Sequence, residues 1–567
     1  MNAPVSLAGR IESAAQASSE WCGSITFVGG DDAATVPWIQ LHHDARAVAA
    51  GLQRRGYGVG AHVAILGPTT RALVTAIQAT WLIGATSVLL PLPMRLGSLD
   101  EFVVQTRARV AHADIDVVLV DGDLAPFLTT EPGDPPMIAL SDAMPGATGV
   151  PTSDAFDPVG ADPTSLAILQ FTSGSTSEPK GVMLPHQQVC ANLDAIQVGC
   201  GLVAGQDVAV SWLPLYHDMG LIACFILPLV YHLPVVLQSP TDWVMHPGTM
   251  LELITEYRCT LAWMPNFALQ FLARRVRLAD RERCDLSPLR VLINCSEPIR
   301  AHSMDEFSNA YSAAGLRPNA LQTSYAMAEN VFAVTQSGIA EPPKRIWVDG
   351  VRLRGEHIAE PVASNALGAV CLVSSGTCLP ENRIAIESVA GVPLPPGEVG
   401  EIVISGDSLF VGYYNRPDLT AEALHNGSYK TGDLGFVLDE ELYVIGRKKD
   451  LIIVAGKNIY PQDVEEIVST HPEVRDGRAV AMGIFNSELG TEDIVVVAEV
   501  GKEEALANAG EIERWVRNAI VAELGVAARA VYLKPPSWIV KSTAGKAARS
   551  STCDKLLSEH PELVSSN

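Results

Sequence analysis

The residues best suited to chemistry form one string: Leu169-Gln170-Phe171-Thr172-Ser173-Gly174-Ser175-Thr176-Ser177-Glu178-Pro179-Lys180-Gly181-Val182. Four hydroxyls (Thr172, Ser173, Ser175, Thr176) surround Gly174, and Lys180 follows a few residues later. Glycine lets the backbone turn sharply, so successive N–H groups can converge on an anion. The hydroxyls add neutral donors and the lysine a positive charge, which together suit a polyphosphate. The spacing is not that of a Walker loop, which needs Gly-x-x-x-x-Gly-Lys-Ser/Thr. A lone Ser-Gly-Ser would be read as an ordinary turn. Fourteen residues in this order are far more specific.

Further groups lie downstream. Ser211-Trp212-Leu213-Pro214-Leu215-Tyr216-His217-Asp218-Met219-Gly220 places a histidine and a close-approach glycine ahead of a long apolar run. On its own, His217 would read as a satisfied core residue. Glu329 closes Gln322-Thr323-Ser324-Tyr325-Ala326-Met327-Ala328-Glu329, and a carboxylate is the ligand a hard cation wants. Asp433, in Tyr429-Lys430-Thr431-Gly432-Asp433-Leu434-Gly435, could accept two hydrogen bonds from a diol, although an Asp between glycines is also a common turn residue.

In this order the strings resemble the acyl-adenylate-forming enzymes: acyl-CoA synthetases, fatty acyl-AMP ligases, luciferases and peptide-synthetase adenylation domains. The resemblance runs from roughly residue 30 to 550. It implies that Thr172, Ser173, Gly174, Ser175, Thr176 and Lys180 hold the phosphates of ATP. Ser296, Glu297 and Pro298, with Ser324, Tyr325 and Ala326, would hold the adenine, Tyr325 stacking on the base. Glu329 and Thr176 would hold Mg²⁺, and Asp433 with Arg447 the ribose. His217 would line the carboxylate end of the acyl site, and Lys546, in a terminal Gly-Lys loop, would act in acyl-AMP formation. Amino-acid-activating relatives usually carry Asp at the position of His217, so the resemblance implies a hydrophobic carboxylic acid, with Asp218 next door as the counter-signal. Ala326 stands where the family usually has glycine, and Ser177 where most relatives have glycine. Ser177, together with the string Asn458-x-Tyr460-Pro461-Gln462-Asp463, and segment 345–368 as an insertion, are closer to fatty acyl-AMP ligases than to CoA ligases.

The elements that must position these groups follow from periodicity. Runs 62–66, 86–91 and 116–120 predict strands, and 70–84 and 99–112 helices between them. Such alternation implies a largely parallel, covered sheet. Strands are also expected at 166–171, 261–267, 291–294, 369–374 and 398–404, and a surface connection at 131–162. The implied fold is α/β: a large N-terminal region of stacked α/β sheets (1–446), a hinge (447–449) and a small mobile C-terminal α+β domain (450–567).

Composition bounds the function. With 567 residues, at least two domains are expected. The balance of 40 basic against 64 acidic residues argues against a nucleic-acid binder or a basic membrane-surface protein. Ten cysteines without C-x-x-C spacing read as reduced thiols in a cytoplasmic protein. The first 21 residues lack an apolar signal core, and the apolar run 221–237 is interrupted by Pro228, His232 and Pro234, so it reads as buried core rather than a membrane span. Segment 525–553 carries Arg529, Lys534, Lys541, Lys546 and Arg549 and no acid.

The expected reaction has two steps. A carboxylate attacks the α-phosphorus of Mg·ATP, giving acyl-AMP and pyrophosphate; a pantetheine thiol, of CoA or an acyl carrier protein, then takes the acyl group. The alternatives are an acyl- or aryl-CoA synthetase using free CoA, and a non-catalytic nucleotide-binding regulator.

Overall fold

The computed structural model describes residues 5–17, 23–29, 33–93, 99–128, 131–172, 180–203, 205–454, 457–486, 491–541 and 547–563. Two sheets dominate its N-terminal part. The first has six strands in the order Met137–Ala139, Val117–Val120, His62–Leu66, Thr86–Leu89, Leu166–Phe171, Gly181–Pro185, parallel except for the last pair. The second has nine, with a parallel centre formed by Leu321–Ala326, Val291–Asn294, Leu261–Met264, Ala209–Ser211, Val235–Gln238 and Ser24–Val28. Parallel strands are covered on both faces, which is why they read as unbroken apolar runs. Ile65 and Ile168 of one sheet and Val210 and Leu237 of the other belong to the same buried cluster. The helix Arg71–Leu82 is started by the Thr70 hydroxyl, which accepts from Leu73 N at 3.3 Å, and is buried from Leu73 to Leu82.

The segment 131–162 is not the plain surface connection expected. Met137–Ala139 adds an edge strand, and Leu140, Ala143 and Phe156 are buried. Three residues are too few to show a period, so only pairing reveals them. The run 221–237 is buried core, split into a π-helix at Met219–Ile226, a helix at Leu227–Tyr231 and the strand Val235–Gln238. Among the described residues no helix is long and apolar enough to cross a membrane.

A third, antiparallel sheet contains Asn382–Glu387, Gly400–Gly406, Ser428–Leu438 and Glu441–Arg447. The C-terminal part has its own sheet, Val474–Asn486, Thr491–Val500 and Ala528–Lys534. Its middle strand alternates between two small cores: Ile494, Val496 and Ala498 face one, Val495 and Val497 the other. Neither is continuous with the large N-terminal cluster. Segment 345–368 forms the strand Arg345–Asp349 and the helix Gly350–Gly355, and the strand pairs with Ala369–Val373. This unit packs between the third sheet and Tyr460, and Arg354 reaches Asp463 at 3.2 Å.

Candidate active site

The strand Leu166–Phe171 ends at Thr172, whose N–H donates to Lys180 O at 3.1 Å, and Phe171 pairs with Gly181. The hydroxyl-rich string is therefore the connection of an antiparallel pair. Ser173, Gly174, Ser175 and Thr176 lie outside the described residues, as does Lys546. Thr172 and Lys180 are half-buried. Segment 411–414 runs along Gly181–Pro185, with Tyr414 N donating to Gly181 O at 2.8 Å and Met183 N to Gly412 O at 3.0 Å. This brings the Tyr413 ring under Lys180, whose Nζ lies 4.9 Å from the ring centroid.

His217 sits at the entrance to the π-helix, where π-turns often mark functional positions. Leu221 N donates to its carbonyl at 2.8 Å, and its ring lies 5.0 Å from that of Tyr216. The close approach expected of Gly220 is real: a Cβ there would lie 2.3 Å from Pro214 O. Gln170 Nε2 donates to Tyr216 O at 2.7 Å and so ties this segment to the strand Leu166–Phe171. Beside it a small apolar recess of about 10 Å³, room for about one water, is lined by Ile65, Leu73, Leu89, Leu92, Leu215 and Pro240.

The turn after Val291–Asn294 places Ser296 in the left-handed region (φ 65°). Glu297 turns to a neighbouring helix, accepting from Phe267 N at 2.9 Å in the first turn of Asn266–Arg275, where a negative charge is favoured. Pro298 is exposed beside it. In the next strand, Ser324 Oγ donates to Thr335 O at 2.7 Å, and Ala326 closes the strand half-buried. Tyr325 is buried, and its hydroxyl donates to Asp433 Oδ2 at 2.6 Å. The residue implied for the base and the residue implied for the ribose are thus joined directly.

Asp433 and Arg447 face each other across paired strands, with Arg447 Nε 3.5 Å from Asp433 Oδ1. That separation is too long for a good hydrogen bond and leaves acceptor capacity on the carboxylate. Burial raises the Asp433 carboxyl above its ordinary range, opposed by the Arg447 charge and the Tyr325 hydroxyl. Burial, then Asp433, pushes the Tyr325 phenol well up, so it stays a neutral donor. Burial also lowers Lys449, with Arg447 adding to the effect.

Glu329 lies in the short turn Ala328–Asn330 and is half-buried. Two residues on, Val331 adopts φ 61° and ψ −59°, and Phe332 N donates to Asn330 O at 2.6 Å, a γ-turn. A β-branched residue there is strained, and such strain persists where the surroundings over-determine it. Glu329 Oε1 accepts from the Tyr413 hydroxyl at 2.9 Å. Its other oxygen has no protein donor among the described residues. Among those residues no group of three or more His, Cys, Asp or Glu could hold a metal ion. An open single carboxylate suits magnesium, which keeps several waters and takes substrate phosphates as ligands.

The sequence reading missed Tyr413 and Gln170. Nothing in Gly412-Tyr413-Tyr414-Asn415-Arg416-Pro417 marks one aromatic above the other, and Gln170 acts through a backbone contact that only the fold creates.

The comparisons with known proteins agree in one direction. The AMP-binding enzyme family matches residues 14–414. Long-chain-fatty-acid–AMP ligase FadD28 of Mycobacterium tuberculosis is 31% identical over 546 residues, covering 91% of each chain. The 4-hydroxyphenylalkanoate adenylyltransferase of Mycobacterium marinum is 30% identical, covering 92% of this chain and 86% of its own. A solved structure from work on fatty acyl-adenylate ligases of E. coli and L. pneumophila superposes with a TM-score of 0.90 at 30% identity, covering 99% of both chains. A fatty acyl-adenylate ligase from L. pneumophila in complex with acyl adenylate and pyrophosphate gives a TM-score of 0.74 at 28% identity, covering 98% and 96%.

Proposed function

From the chain's membership of the AMP-binding enzyme family, we infer that it is an AMP-forming acid–thiol ligase that converts a hydrophobic carboxylic acid to acyl-AMP and passes the acyl group to a pantetheine thiol. One observation carries the reading: two sets of contacts, Thr172–Lys180–Tyr413–Glu329 and Tyr325–Asp433–Arg447, drawn from elements far apart in sequence, meet on the strand Ser428–Leu438, which carries both Tyr429, beside Tyr413, and Asp433. The apolar side chains gathered beside Tyr216, Ile65, Leu73, Leu89 and Leu215 among them, support an apolar acyl chain.

In this reading Lys180 neutralises phosphate charge, Asp433 accepts the ribose hydroxyls, and Tyr325 covers the base. Glu329 would hold magnesium, which would supply positive charge to neutralise the phosphates. No side-chain nucleophile is needed, because positioning and charge neutralisation suffice for attack of a carboxylate on the α-phosphorus. Lys546 supplies the cation between carboxylate and α-phosphate when its domain closes. The acceptor we favour is a carrier-protein phosphopantetheine rather than free CoA, supported by the relatives named AMP ligases and by the 345–368 unit packed against Tyr460 and Asp463. Buried Cys190, Cys200, Cys224, Cys259 and Cys295 are free thiols, which supports a reducing, cytoplasmic setting.

Pyrophosphate exchange across a panel of fatty, aryl and amino acids tests the first step. Exchange with fatty or aryl acids is expected; exchange with free α-amino acids alone would overturn the assignment. Adding CoA or a carrier protein in separate arms then identifies the acceptor.

A further inference from the structure

Tyr413 touches two parts of the phosphate site from a position that no motif above includes. It is 3% exposed, and its hydroxyl donates to Glu329 Oε1 at 2.9 Å. That hydroxyl's oxygen lies 3.3 Å from the Tyr429 hydroxyl, which must then act as donor, giving a chain Tyr429 to Tyr413 to Glu329. Such chains strengthen each member. On its other side the ring face carries Lys180 Nζ at 4.9 Å. The ring itself is held: Phe410 packs against both tyrosines at 4.9 and 5.2 Å, and Tyr413 N donates to Thr420 Oγ1 at 2.9 Å. Phe410 N also donates to Glu329 O at 2.9 Å, so the same segment grips the backbone and the carboxylate of Glu329.

We propose that Tyr413 is a positioning residue that couples the magnesium acid to the phosphate lysine: its hydroxyl occupies one oxygen of Glu329 and aims the other at the metal, while its ring holds Lys180 against the nucleotide phosphates. This rests on the reading of Glu329 and Lys180 given above. The two functions sit on different parts of one side chain, so they separate by substitution. Tyr413→Phe keeps the ring and removes the hydroxyl; Tyr413→Leu removes both.

The measurement is calorimetric binding of ATP in the absence of any carboxylic acid, across a magnesium series and in EDTA. Tyr413→Phe is expected to weaken the apparent magnesium affinity about ten-fold, the size of a lost hydrogen bond to a charged group, with ATP binding in EDTA unchanged. Tyr413→Leu should show that loss and also weaken ATP in EDTA, by about three-fold, through the lost cation–π contact. Tyr429→Phe, which leaves Glu329's own contact in place, should shift magnesium affinity the same way by less. Wild-type magnesium dependence in a folded Tyr413→Phe protein overturns the proposal, as does an equal loss with and without metal. Should neither Tyr413 variant fold, an unshifted Tyr429→Phe overturns it. Glu329→Gln separates the premises. If it abolishes the magnesium effect while Tyr413→Phe leaves magnesium affinity unchanged, only the tyrosine's role fails; if it leaves the effect intact, the assignment of Glu329 fails and the proposal with it.

Discussion

The proposed nucleotide cleft and the C-terminal unit handle charge in opposite ways. In the cleft, charged groups come from separate strands and keep open capacity: Glu329 has a free oxygen among the described residues, and Asp433 stands 3.5 Å from Arg447. In the C-terminal unit, charges cancel. Arg529 pairs with Asp493 at 3.1 Å, Lys534 with Glu559 at 2.6 Å, and Arg549 with Asp450 and Glu465 at 2.7 and 2.6 Å. The acid-free stretch 525–553 is therefore not a basic face; acids from elsewhere in the fold neutralise most of it. Lys541 is the described exception. Burial, then the nearby Arg478 and Arg475, lowers it to about 8. Charge left unmatched marks a site better than charge counted along the chain.

The largest effect is expected at Lys546, which lies outside the described residues. Lys546→Ala should slow acyl-AMP formation about a hundred-fold or more, the size of one deleted transition-state contact. Thioester formation from supplied acyl-AMP should be spared. Equal loss in both half-reactions, measured by pyrophosphate exchange and thioester release, would break the division of labour.

A second test concerns the N-terminal core. His186 is fully buried, with neither ring nitrogen hydrogen-bonded among the described residues, and burial lowers it to about 4. The folded state then binds fewer protons than the unfolded state between about pH 6.5 and 4. Stability should be full above about 6.5 and fall by about 3 kcal/mol as pH drops through that window. His186→Leu should flatten this slope in denaturant titrations; an unchanged slope would show that His186 does not resist protonation.

Asp433→Ala should weaken ATP binding about ten- to hundred-fold, the value of a charge-assisted hydrogen bond to the ribose. The protein should stay folded, and unchanged affinity by calorimetry would reduce Asp433 to a partner of Tyr325. The smallest effect is expected in the C-terminal unit. Arg529→Ala removes a partly exposed pair and should cost about 1 kcal/mol in chemical denaturation. A loss of several kcal/mol would mean that the paired charges there hold the unit together.

Much of the scaffold was legible in local pattern. The strand His62–Leu66, the helix Leu99–His112 and the strand Val291–Asn294 have the expected bounds, because period and side-chain type decide them locally. The site strings were legible as chemistry, since hydroxyls, a lysine and carboxylates keep their capabilities wherever they are placed. Long-range partnership was not legible. That Tyr325 would bond Asp433, 108 positions away, or Tyr413 bond Glu329, depends on strand ends brought together by sheet order, as does the neutralisation of the 525–553 stretch. Residue type and spacing determined what each group can do. Only the tertiary structure decided which groups remain free to do it, because burial and pairing depend on neighbours that the chain reaches by folding.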